Sequence, residues 1–325
     1  MRVRAMLISQ VFAAVDLLTR FVVPLMPDEL HPGLLACEAL KNLRDAPSGP
    51  YFARAVLASQ WRASLLERYA LQLSRAQLRA FLENRVLYDG ASFAQSVFNG
   101  ARPVILASPH YGSPPIAFLA AAHRMRGSRV LNLFYDSAQH CPRVPLLFER
   151  GGVEAHTLLD GFAGTVSAMR ALNRNEYLAM MPDAFGDLEH TLVVPFFGRM
   201  LRVAAGTAFF ALRTGASVVP VFAAPARRVG LRVTLGRPID PRRFAEGDET
   251  QALFMLTRAL FASFEREIRR SPEHWHHWET FPRVSTAVEP PGRLEDDAPL
   301  RLLRDKCDAS PHLLQDIPEL DLLVR

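Results

Sequence analysis

The feature that most constrains the fold is a change of rhythm near residue 103. From there, short apolar runs alternate with stretches of helical periodicity. Pro103-Val104-Ile105-Leu106-Ala107, Val130 to Tyr135, Tyr177 to Met181 and Ser217 to Ala223 read as strands, and Arg232 to Leu235 continues the sheet. Ile116 to Arg124, Gly161 to Leu172, Ala204 to Thr214 and Glu249 to Arg270 read as helices between and after them. Apolar strands alternating with helices imply strands buried on both faces and covered by helices. The expected fold is α/β: a mixed, mostly parallel central sheet flanked by helices, with a helical N-terminal part.

Residues 1–100 read as that helical part. Leu65, Tyr69 and Leu73 fall on one stripe, and Ser74 with Gln77 is a capping-box pattern that opens a new helix. Residues 101–285 form the α/β core, in one domain with the N-terminal part. After Glu289-Pro290-Pro291-Gly292 the character changes, and 286–325 reads as a tail that packs back or stays mobile. Met6 to Met26 is largely apolar, but Asp16 and Arg20 interrupt it. A spanning helix needs about 20 mostly apolar residues. The segment is therefore expected to lie on the protein core or on a membrane surface, and no small-residue cleavage site follows it.

Charge narrows the partners. The net charge of +5 is carried almost wholly by arginine, since Lys41 and Lys306 are the only lysines. Such a surface suits an anionic membrane, a phosphate-bearing substrate or an acidic carrier, and it equally describes plain solvated arginines. No basic run is interleaved with aromatics, so nucleic acid is not expected. Cys37, Cys141 and Cys307 are far apart and odd in number, which argues for ordinary thiols in a reducing compartment.

The chemistry centres on Leu106-Ala107-Ser108-Pro109-His110-Tyr111-Gly112-Ser113. A histidine just after a buried strand stands where α/β sheets bind ligands, beyond the carboxyl ends of the strands. There it can take a proton from an attacking hydroxyl or amine. It can equally cap a strand by bonding to backbone. No Gly-x-Ser-x-Gly elbow is present, and Ser108 and Ser113 flank His110 too closely for a triad, so a serine hydrolase is not expected.

Two further blocks follow in order. The first is Met181-Pro182-Asp183-Ala184-Phe185-Gly186 with Val194-Pro195-Phe196-Phe197-Gly198. The second is Ala204-Ala205-Gly206-Thr207-Ala208 with Thr214-Gly215-Ala216-Ser217-Val218-Val219-Pro220. With Pro272-Glu273-His274-Trp275-His276-His277-Trp278, Phe281 and Arg283, the set resembles the lipid A late acyltransferase branch of the lysophospholipid acyltransferases over residues 5 to 285. The resemblance implies transfer of an acyl chain from an acyl-carrier-protein or coenzyme A thioester to a hydroxyl or amine, on a lipid or small-molecule acceptor. It implies His110 as general base, no cofactor and no metal. It also implies a cytoplasmic protein, or one held peripherally on the cytoplasmic face of the inner membrane.

In that family an acid five residues on orients the histidine; here that residue is Pro115. Proline can supply no such bond. Three readings follow. Another acid reaches His110, with Asp183, Asp136 and Asp187 the candidates in that order. Or His110 works alone on an easier nucleophile. Or the protein binds an acyl group or a carrier without catalysing. Asp183 is also a natural turn residue. Tyr111, Gly112, Pro195, Phe196, Phe197 and Gly198 are expected to line the cleft, Gly206 and Thr207 to lie near the thioester, and Arg199 and Arg202 to meet a phosphate. The histidine-tryptophan run at 274–278 is expected to form a surface or membrane-facing aromatic patch.

Overall fold

The computed structural model describes residues 49–90, 97–99, 102–124, 130–135, 143–185, 191–225, 230–244, 248–278 and 280–287. The Met6 to Met26 segment, Asp136, Asp187 and the 288–325 stretch lie outside them. Helix α1 (Gly49–Gln72) leads into α2 (Arg75–Asn84). The capping box read from the sequence opens α2: Gln77 N donates to Ser74 Oγ, and Ser74 N donates to Gln77 Oε1. Then follow β1 (Val86–Asp89), β2 (Val104–Ala107), α3 (Pro114–Arg124), β3 (Leu131–Tyr135), α4 (Arg143–Gly151), β4 (Ala155–Leu159), α5 (Phe162–Asn173) and β5 (Tyr177–Met180). A hairpin, β6 (Thr191–Phe196) and β7 (Arg199–Ala204), precedes α6 (Gly206–Thr214). The chain continues through β8 (Ser217–Pro225), β9 (Leu231–Leu235), α7 (Glu249–Arg270), α8 (Phe281–Val284) and β10 (Ser285–Ala287).

Seven strands form the main sheet in the order β1-β9-β8-β2-β5-β3-β4, and every pairing is parallel except β8 with β9. The expected α/β architecture is therefore present. Its reason is visible along β2, where all four residues are buried. Successive side chains point to opposite faces. Val104 and Leu106 join the core under α2, α3 and α4, and Ile105 and Ala107 join the core under α5, α6 and α7. A strand with two buried faces has no polar positions, hence the unbroken apolar run.

Two strands of the main sheet escaped sequence reading. β1 sits inside the stretch read as helical and pairs with β9 at the sheet edge. β4 lies at the other edge and carries His156 and Thr157, so its pattern is not apolar. The second sheet, β10-β7-β6, is antiparallel. Its hairpin turns at Phe197 and Gly198, both with positive φ of 50° and 68°. Paired positive φ values give the tight turn that matches strand twist. Phe197 N donates to Glu265 Oε2 of α7 at 3.1 Å, which helps hold that non-glycine residue in place.

Candidate active site

His110 follows β2 directly, and Asp183 follows β5, its parallel neighbour. Adjacent parallel strands bring both loops to the same end of the sheet. There His110 Nδ1 lies 2.8 Å from Asp183 Oδ1, and the His110 backbone N–H donates to both carboxylate oxygens, at 3.0 and 2.9 Å. Trp275 Nε1 donates to Asp183 Oδ2 at 2.9 Å. Asp183 is fully buried, and His110 retains 21% side-chain exposure. The acid is thus enclosed and the base is open at one side.

Electrostatics follow from this geometry. Burial opposes charge on Asp183, but His110, His277 and the indole N–H outweigh it and hold the carboxyl well below the usual carboxylate range. Burial likewise opposes charge on His110, and the Asp183 carboxylate overcomes it, raising the imidazole above its ordinary 6.5. Nδ1 then carries the proton shared with Asp183, and Nε2 is the free base. This is the orientation of a histidine that accepts a proton and is stabilised once charged.

A third segment closes the site. Trp275 pairs with Tyr111 as an antiparallel bridge, flanked by Gly112 N donating to His274 O and His276 N donating to His110 O, both at 2.8 Å. Gly112 has φ +58°, and a Cβ there would meet Ala223 O at 1.9 Å, so only glycine fits between the loop and β8. Helix α1 reaches both partners: Ser59 Oγ lies 2.6 Å from His274 Nδ1, and Ser113 Oγ donates to Glu67 Oε1 at 2.6 Å.

The surface patch expected of the 274–278 run is corrected here. Trp275 and Trp278 are fully buried. They pack on Phe197 and Phe281, with Phe196 against Trp275. Large rings bury their area wherever partners exist. Here the hairpin and α8 supply them, and the indole N–H of Trp275 finds Asp183.

The other expected site residues are spread over several places. Tyr111 is buried at the bridge beside Phe222 and His274. Phe196 and Phe197 are buried in the aromatic core behind Trp275, with Pro195 and Gly198 at the hairpin end. Gly206 and Thr207 open α6 beside Met180, with Thr207 Oγ1 3.6 Å from Met180 Sδ. The Arg199 guanidinium is held by Ser285 and Pro282, whereas Arg202 is exposed on β7. Pro115 lines a small apolar pocket with Phe118, Leu133, Phe134, Met180 and Met181.

His277 lies close enough to His110 and Asp183 for the three to offer ligand atoms within 4.8 Å of one another. Asp183 Oδ1 is already spent on His110, and Oδ2 accepts from Trp275. Asp183 is thus engaged by the His110 ring, the His110 backbone N–H and the Trp275 indole, as suits an acid that orients a histidine. Sequence reading named Asp183 first among the substitute acids. It missed His277, Trp275, Ser59 and Glu67, whose roles depend on tertiary contact.

The site thus joins an imidazole and a buried carboxylate at the carboxyl ends of two parallel strands of an α/β sheet. The family model described as bacterial lipid A biosynthesis acyltransferase matches residues 98–279, and the chain belongs to that family. No curated protein matches the chain.

Proposed function

We propose that the protein moves an acyl chain from a thioester, carried on acyl carrier protein or coenzyme A, to a hydroxyl or amine acceptor. His110 is the general base and Asp183 its orienting acid. The observation that carries this reading is the 2.8 Å contact between His110 Nδ1 and Asp183 Oδ1. It replaces the acid missing at Pro115 and argues against a binding protein with a decayed site.

The steps balance simply. Nε2 of His110 takes the acceptor's proton as its oxygen or nitrogen bonds to the thioester carbon. The tetrahedral intermediate collapses with loss of the C–S bond, and the imidazolium returns the proton to the thiolate. No bond to the enzyme forms. Asp183 stabilises the imidazolium without taking its proton. Gly206 and Thr207, at the start of α6 beside Met180, are proposed to face the thioester, where backbone N–H groups at a helix start suit an oxyanion. Tyr111, Gly112 and the hairpin 195–198 support the cleft wall, and Arg202 is free to meet a phosphate. No helix of the described residues is long and apolar enough to cross a membrane. A peripheral position on the inner membrane's cytoplasmic face is part of the proposal.

The test is incubation with acyl-carrier-protein and coenzyme A thioesters, followed by mass spectrometry of the products. His110→Ala should lower transfer by about 10² to 10⁴-fold. A folded His110→Ala protein with activity within about threefold of wild type, far inside the range a base contributes, would refute the assignment.

A further inference from the structure

His277 is not needed by the pair just described, yet its placement is specific. Its ring packs edge-to-face on His110 with centroids 4.4 Å apart, and on Phe185 at 4.8 Å. The side chain is 22% exposed, but its Nε2 is shielded and makes no hydrogen bond among the described residues. That nitrogen lies 4.0 Å from Asp183 Oδ2. A shielded, unbonded polar atom carries an uncompensated desolvation cost. Such a cost in a native site calls for a reason.

We propose that His277 is a positioning residue for the base: a neutral imidazole that wedges the His110 ring and faces the Asp183 oxygen that ring does not use, keeping the carboxylate turned to Nδ1. The proposal rests on reading His110 as the base. The groups facing His277 are Asp183 from the end of β5, His110 from the loop after β2, and His276 beside it on its own segment. Burial holds His277 at about 4 despite Asp183, and a proton on His110 lowers it further; His276 is held at about 4 for similar reasons. The proton that the cluster takes up first is therefore the one on His110. A charged His277 would draw Asp183 away; a neutral one buttresses the ring without competing for the acid. Phe185, on β5's loop, backs it.

Two variants separate nitrogen from ring. His277→Phe keeps a ring of similar size, and His277→Asn keeps a neutral N–H donor. His277→Phe should lower kcat about tenfold through misplacement of the base. KM should stay nearly constant, because the loss falls in the transition state. With its carboxylate no longer kept turned to Nδ1, Asp183 should then hold His110's proton less tightly. The acid limb of the pH profile should move down by about half a unit, comparable to modest neighbour effects. His277→Asn keeps a donor towards Asp183 but loses the wedging ring, so it should restore the midpoint and leave kcat low. The His110 midpoint is also read by NMR titration of the full chain, which needs no turnover. A folded His277→Phe protein with unchanged kcat and unchanged midpoint would overturn the proposal, as would a His277 that itself titrates near an ordinary imidazole. If wild type transfers no acyl group, the acyl-transfer reading fails, and the His110 midpoint alone decides the role of His277.

Discussion

At the scale of single residues, the site turns on where one carboxylate stands. Asp183 raises His110 above 6.5, while burial keeps His276 and His277 at about 4. The base must be neutral to act. Activity should therefore rise with pH through a midpoint above 6.5, and the neighbouring histidines should add no inflection between 5 and 9, about the range in which unperturbed imidazoles and thiols titrate. A kcat/KM profile measures this, and a midpoint below the ordinary imidazole value would contradict the pairing. Pro115 gives a second expectation. It faces an apolar pocket, so Pro115→Asp would bury a carboxylate among Leu133, Phe134 and Met180. The substitution should leave transfer unchanged or reduce it, and should lower the thermal midpoint. A rate increase would show that the acid is missing after all. Of these residues, His110 and Asp183 were legible because each closes a strand-like run in the sequence. His277 was not: the run at 274–278 shows alternating polar and aromatic residues, a pattern shared by surface patches, and only the aromatic partners at 196, 197 and 281 decide its burial.

At the scale of elements, the wholly buried apolar strands were readable and the edges were not. β2, β5 and β8 are buried along their whole length, so composition alone marks them. β4 borders solvent on one side and mixes His156 with Leu158, which erases the signal. The bridge between Tyr111 and Trp275 depends on a pairing between residues far apart in the chain, to which local periodicity is blind. A second bridge, from Gly112 to Ala223 of β8, makes Gly112 the tightest point of the site. Gly112→Ala should cost at least about 2 kcal/mol, because it adds left-handed strain to a backbone clash at Ala223. Thermal unfolding checks this; a wild-type midpoint would mean the loop does not approach β8 so closely.

At the scale of the whole molecule, three distant parts of the chain converge on one carboxylate. The loop after β2 brings the base, the loop after β5 brings the acid, and the segment after α7 brings an indole N–H and a second imidazole. α1 reaches over from the N-terminal side to hold both His274 and Ser113. A parallel sheet makes this economical, since neighbouring strands end together whatever their separation in sequence. It also explains how the orienting acid can stand at the end of β5 when α3 begins with two prolines. The measurement that bears most directly on this account is the acyl-transfer rate of Asp183→Asn, with folding checked by circular dichroism. The amide keeps the shape but cannot accept the Nδ1 proton as an ionised acid does, so the rate should fall by about 10² to 10⁴-fold. A folded Asp183→Asn protein that transfers acyl groups within about threefold of wild type, well short of that loss, would contradict it.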